Sequence, residues 1–194
     1  SWILSFFDWC VRRKYSEPEL TILSRQNLCS SSSRIKYICG DIENFQNHGG
    51  KSTYTLHMAA PSASETFRSM DELNKFYVLA KGTENLLNYA RLNTEKRTLV
   101  LSSGALYGGF DETRVSHISE LERQAPAYAE SLQALSIGKR VSEFLTKEFC
   151  DRGHVDASVA RCFSFIGPGL PINLHYAVGN FVAQAVKGED IVIN

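Results

Sequence analysis

Short apolar runs that end at small residues alternate along the chain with longer stretches of helical period, and this alternation limits the fold more than any other feature. Runs at 20–23, 35–39, 54–60, 98–101 and 155–165 read as strands, most of them punctuated by Gly, Ser, Pro or Asp. Stretches at 1–14, 73–92, 134–149 and 176–186 repeat apolar residues every three or four positions, and a further strand starts at 191–193. Strands that alternate with helices fold as a parallel, doubly wound sheet, because the crossover helices cover both of its faces. Such sheets bind ligands beyond the carboxyl ends of their strands. The residues just after each strand are therefore the ones to watch.

The order of elements also predicts a gap. A dinucleotide-binding sheet normally starts with a strand and a Gly-rich turn, whose N–H groups hold a pyrophosphate. Here the first element is a helix, and no GxGxxG or GxxGxxG occurs. The absent strand would lie between the strands near Leu20 and Leu56. Leaving those edges unpaired is costly, so an N-terminal segment is expected ahead of Ser1. The alternative is a different strand order that begins with a helix. Gly82, inside a helical stretch, costs about 1 kcal/mol relative to Ala, which points to close packing against a neighbour. The expected division is a Rossmann-like domain at 1–166 and the start of a substrate-binding region at 167–194.

Charge and cysteines exclude other classes. The 194 residues carry zero net charge, which gives no basic field for nucleic acid. No apolar run approaches the roughly 20 residues needed to cross a bilayer. The apolar start of the chain has no basic flank and no small-residue cleavage site, so it does not read as a signal peptide. The five cysteines are scattered, without ligand or CxxC spacing. That pattern fits reduced thiols in the cytoplasm and no metal site.

Several segments run in a telling order. They are Gly40-Asp41-Ile42, His57-Met58-Ala59-Ala60, Lys81-Gly82-Thr83-Glu84-Asn85, Leu101-Ser102-Ser103-Gly104-Ala105-Leu106-Tyr107-Gly108, Gly138-Lys139-Arg140 with Glu143, Arg161-Cys162-Phe163 with Ile166-Gly167-Pro168, and the stretch from His175 to Phe181. Singly, each is most simply structural. Together they resemble the extended short-chain dehydrogenase/reductase family, the NAD-dependent epimerases and dehydratases of nucleotide-sugars. The likeness leans toward 4-epimerases and dTDP-glucose 4,6-dehydratases.

The resemblance implies an α/β Rossmann-like fold, a nucleotide-sugar substrate, a homodimer, and a Ser/Thr, Tyr and Lys at the reacting centre. In such enzymes the phenolate takes a proton from the sugar hydroxyl, while a lysine one helical turn later lowers the phenol pKa and binds the cofactor ribose. By this likeness Ser103 is the serine and Lys139 the lysine. The tyrosine position holds Leu135, which cannot transfer a proton. Three groups are candidates to replace it. Tyr128 lies about two turns earlier, displaced by roughly 10 Å; the side chain of Ser136 points about 100° away around the helix. Tyr107 reads better as a packing residue. The Asp and Glu that follow the serine in 4,6-dehydratases are Gly104 and Ala105 here, which disfavours dehydration. Ser164 stands where relatives have an Asn near the substrate, and Asn180 is also implied there.

Asp41, with Ile42, is implied to meet the adenine ring, and Ala59 and Ala60 to let the dinucleotide lie against the backbone. NAD enzymes usually carry an acidic residue just after the second strand, for the ribose 2′-hydroxyl. This chain has Ser24-Arg25. Arg25 fits an NADP 2′-phosphate as well as it fits an exposed loop, so the cofactor is NAD with NADP left open.

Overall fold

A computed structural model describes residues 9, 12–13, 18–29, 33–45, 50–61, 71–107, 117–121, 133–164, 167 and 177–192. The strands are β1 (Leu20–Ser24), β2 (Ile35–Cys39), β3 (Ser52–His57), β4 (Thr94–Ser103) and β5 (Ala157–Cys162). The α-helices are α1 (Glu72–Asn93), α2 (Gln133–Asp151) and α3 (Ala177–Lys187). Two 3-10 turns, Ile42–Asn44 and Gly104–Tyr107, follow β2 and β4; the sequence pattern did not reveal them because they are too short to show a period. Of the expected N-terminal helix, Trp9 and Arg12 are helical and the rest lies outside the described residues. The expected strand at 191–193 is corrected: Ile191 and Val192 are exposed and in no regular element.

Parallel strands alternate with helices, as expected of an α/β Rossmann-like chain. β3, β4 and β5 pair in that order, all parallel, with Leu101 opposite Ala160 and Ser103 opposite Cys162. β1 and β2 form a separate pair, held at one end by Leu20 N to Arg34 O (2.8 Å) and at the other by Gly40 N to Ser24 O (2.9 Å). Among the described residues no strand pairing joins β1 and β2 to the sheet of β3, β4 and β5. Residues 1–22, 29–37 and 164–194 form one compact unit, and residues 23–28 and 38–163 another.

The core of the second unit is helix against helix over the three-stranded sheet. α1 starts where Asp71 Oδ1 accepts from Leu73 N and Asn74 N, both at 3.0 Å. It buries Leu79, Gly82, Thr83, Leu86, Leu87 and Ala90, one face at helical spacing. Glu72 Oε2 also accepts from Ala134 N (2.9 Å), so the first turn of α1 caps the start of α2. The two helices approach closely at Gly138, where a Cβ would come within 2.6 Å of Leu79 Cδ1. Gly82 has the packing role expected of it: a Cβ there would meet Ile42 Cγ2 at 2.8 Å. Helix α2 ends at Gly153, whose φ of 68° is left-handed, with His154 N returning to Phe149 O (2.9 Å).

Candidate functional site

Two loops and one strand end build a cleft at the carboxyl ends of β1, β2 and β3. After β1 the chain turns on Ser24, whose Oγ accepts from Gln26 N (3.1 Å). After β2, Asp41 Oδ1 accepts from Glu43 N (2.9 Å) and starts the 3-10 turn. Asn85 of α1 donates to Ile42 O (2.9 Å) and Glu43 O (2.7 Å), which fixes that loop on the helix. Arg25, Asp41, Ile42, Ala59 and Ala60 line one cleft of about 200 Å³, together with Ser24 and Val78. Five residues separated by up to 35 positions in sequence thus meet in one place. The cleft offers small side chains, one carboxylate and one guanidinium, a set that fits the adenosine end of a dinucleotide.

The end of β4 carries the second group. Ser103 is half-buried, and its Oγ accepts from Ala105 N (3.1 Å). Lys139 is buried, and its Nζ donates to Leu101 O (2.6 Å), two residues before Ser103 on the same strand. Burial pushes its pKa below the usual lysine range, with the neighbouring Cys162 acting in the opposite direction. Leu135 occupies the same face of α2 one turn earlier, half-buried and without any proton to give. Ser136 is buried, and its hydroxyl has no hydrogen-bond partner among the described residues. Tyr128 lies outside the described residues.

Behind Lys139 runs a buried polar chain that the sequence reading missed. His57 Nε2 meets Thr83 Oγ1 at 3.0 Å, and Thr83 Oγ1 lies 2.8 Å from Ser142 Oγ. Both hydroxyls also reach carbonyls of their own helices, Thr83 to Leu79 O (2.6 Å) and Ser142 to Gly138 O (2.9 Å). The chain joins β3, α1 and α2 around the turn that holds Lys139. His57 is held down at about 4, first by burial and then by the charge of Lys139. The available signal was Thr and Ser at core positions of two amphipathic helices.

A third cluster closes the end of β5. Arg161 makes paired hydrogen bonds to Glu143, Nε to Oε1 at 2.9 Å and Nη2 to Oε2 at 2.8 Å. Its Nη1 donates to Tyr107 Oη (2.7 Å), and its guanidinium lies 5.1 Å from the Tyr107 ring centroid. Burial alone would raise the Glu143 pKa, but the bonds and charge from Arg161 outweigh it and lower it. Tyr107 is buried and stacks on Phe163 at 5.9 Å, so it packs as the sequence indicated. The Phe163 ring also lies over Gly104, where a Cβ would meet Cδ1 at 2.4 Å. An acidic side chain at Gly104 would displace that ring.

Ser164 and Asn180 belong to the other unit, and both are exposed. A wider groove of about 520 Å³ between α2 and β5, lined by Phe144, Cys150 and Val159 among others, holds none of the expected site residues. Among the described residues no His, Cys, Asp and Glu cluster could hold a metal, and no helix is long and apolar enough to cross a membrane.

Comparison with known proteins adds the family. The model of the NAD dependent epimerase/dehydratase family matches residues 12–194. UDP-glucuronic acid decarboxylase 5 of Arabidopsis thaliana is 27% identical over 143 residues, 71% of this chain and 39% of that protein. UDP-glucuronic acid decarboxylase 1 of Xenopus tropicalis is 27% identical over 142 residues, 71% of this chain and 31% of that protein. The chain therefore spans less than half the length of these curated relatives. Among solved structures, a UDP-N-acetylglucosamine 4-epimerase from Methanobrevibacter ruminantium, in complex with UDP-N-acetylmuramic acid, is similar with a TM-score of 0.72 and 21% identity, over 91% of this chain and 58% of that one. A UDP-galactose 4-epimerase is similar with a TM-score of 0.69 and 18% identity, over 94% of this chain and 58% of that one. With the match running over nearly all of its residues, and with parallel strands and helices in the order that the family's fold requires, the chain belongs to the NAD-dependent epimerase/dehydratase family.

Proposed function

We propose that this chain is the cofactor-binding part of a nucleotide-sugar enzyme that acts by hydride transfer at a sugar carbon, with an impaired proton-transfer step. The observation that carries the reading is the cleft in which Arg25, Asp41, Ile42, Ala59 and Ala60 converge. Bound there, a nicotinamide adenine dinucleotide would supply the hydride acceptor. Ser103 would orient the sugar oxygen by its hydroxyl, and Lys139 would hold a cofactor ribose hydroxyl. The decarboxylases and 4-epimerases among the similar proteins support a UDP-sugar as substrate class. Gly104 under the Phe163 ring speaks for epimerisation or simple redox over 4,6-dehydration. Residues 167–194, with Ser164 and Asn180, would begin the sugar-binding region, and pairing of two copies through α1 and α2 would make a dimer.

A second reading is a binding protein without turnover. Its specific support is Leu135 together with Lys139, whose Nζ is already engaged by Leu101 O. Calorimetric titration with NAD⁺, followed by incubation with UDP-sugars and analysis of the products, separates the two. Binding with slow turnover that falls on changing Lys139→Ala supports the enzyme. Binding with no product would leave the binding protein. No dinucleotide binding at all would overturn both.

A further inference from the structure

The ends of β4 and β5 bring a thiol to the serine and lysine described above. Ser103 and Cys162 are register partners, so their side chains leave the same face of the sheet, from strands about 4.8 Å apart. Two residues back along the ladder, Leu101 is opposite Ala160. Leu101 O accepts from Lys139 Nζ (2.6 Å), and Cys162 Sγ lies 3.7 Å from Ala160 O. The amine and the thiol are thus both tied to the Leu101–Ala160 step. A thiol is a weak donor, so the contact with Ala160 O is easily given up. Cys162 and Lys139 also act on each other: charge on the sulfur favours the ammonium, against the burial that disfavours it. Ser136 is a second sign. Its hydroxyl is buried without a hydrogen-bond partner among the described residues, three positions before Lys139 on the same side of α2. A buried hydroxyl in that state calls for a bound group.

We propose that Cys162 is the proton-transfer group of this centre and takes over the part of the phenol that Leu135 lacks. The inference rests on the hydride-transfer reading above and deepens it. Ser103 orients the sugar oxygen, and the Lys139 ammonium supports the thiolate. The sugar O–H bond breaks as an S–H bond forms on Cys162, and the C–H electron pair leaves as hydride to the nicotinamide, so that the carbon becomes a carbonyl. The thiol stands on the strand end instead of on α2. Its approach to the hydroxyl therefore differs from that of a side chain at position 135, which fits a step that is slowed but not lost.

The test has one readout that needs no turnover. Alkylation by iodoacetamide is followed at each cysteine by peptide mass, with Cys150 as internal control, since it too is a free, half-buried thiol but lines the groove between α2 and β5. NAD⁺ with a UDP-sugar should slow alkylation of Cys162 and leave Cys150 unchanged, and Lys139→Ala should also slow Cys162 alone. In the second readout, Cys162→Ala and Cys162→Ser should each lower kcat by ~10²-fold, the low end for a positioned proton-transfer group, with NAD⁺ affinity kept. Serine keeps the size of the side chain, so a packing role would survive that change. Adding Leu135→Tyr to Cys162→Ala should restore turnover. Alkylation of Cys162 that ignores bound ligands, or full turnover in Cys162→Ser, would overturn the inference and leave the hydride-transfer reading standing. No product from the unaltered protein with dinucleotide bound would overturn both.

Discussion

Lys139 sets its Nζ 2.6 Å from the carbonyl oxygen of Leu101, so the buried amine of α2 is fixed to the strand that ends at Ser103. The residue one helical turn before it is Leu135. A lysine held in this way can bind a ribose hydroxyl, but the residue one turn before it carries no phenol to activate.

Leu135→Tyr should therefore restore the missing group. Proton transfer from a positioned side chain is worth ~10²–10⁴-fold in rate. Formation of reduced nicotinamide from a UDP-sugar, followed by absorbance, should rise within that range in the variant. No gain in a variant that still binds cofactor would mean that Leu135 is not the limiting position.

Acid should loosen the fold through His57. Its pKa is lowered from 6.5 to about 4 in the folded chain, burial first and Lys139 second. Between those values the unfolded chain binds the extra proton. Stability is then full above about pH 6.5 and lost as pH falls toward 4, by roughly 3 kcal/mol at a fully buried site. Urea unfolding at pH 7 and pH 4.5 reads this directly. His57→Gln should flatten the difference; an unchanged slope would assign it to another group.

Gly82→Ala tests packing against propensity. Alanine gains about 1 kcal/mol in a helix interior. Here the new Cβ would sit 2.8 Å from Ile42 Cγ2, and Ile42 also lines the cleft. The substitution should destabilise by about 1–3 kcal/mol and weaken dinucleotide binding together. In an Ile42→Ala background the same change should stabilise. Additive effects in this double-mutant cycle would refute the contact.

Breaking the Arg161–Glu143 pair should cost stability at the end of β5. Glu143→Gln keeps the shape but removes the charge and turns one of the two acceptors of Arg161, bonded at 2.9 and 2.8 Å, into an N–H donor. The expected loss is about 1.5–3 kcal/mol in thermal or urea unfolding, toward the low end because the pair is only partly buried. Changing Glu143 also removes the carboxylate that holds the guanidinium beside Tyr107, so quenching of tyrosine fluorescence should change with it. A variant with unaltered midpoint would show the pair to be solvent-screened.

Much of the fold could be read from period alone. The helix expected at 73–92 is Glu72–Asn93, and that expected at 134–149 is Gln133–Asp151, since long amphipathic stretches give many repeats of the same signal. Strand bounds were less legible. β4 begins at Thr94, four residues earlier than expected, because its first turn of the ladder is polar and exposed. β3 stops at His57, and the apolar Met58-Ala59-Ala60 beyond it belongs to the loop that leads into the cleft rather than to the sheet. Apolar character marks burial, and a ligand cleft can require it as much as a sheet does.

What the sequence determined by itself was the alternation of strand and helix, the candidates after each strand, and the leucine at position 135. These follow from local period and from residue identity, which need no third dimension. Only the tertiary structure decided that Arg25, Asp41, Ile42, Ala59 and Ala60 share a cleft, that His57, Thr83 and Ser142 form one chain, and that Arg161 holds both Glu143 and Tyr107. The hydrogen-bonded pairs join residues 18 to 59 positions apart and the cleft residues span 35, and so depend on how strands order and helices pack, which no local pattern encodes.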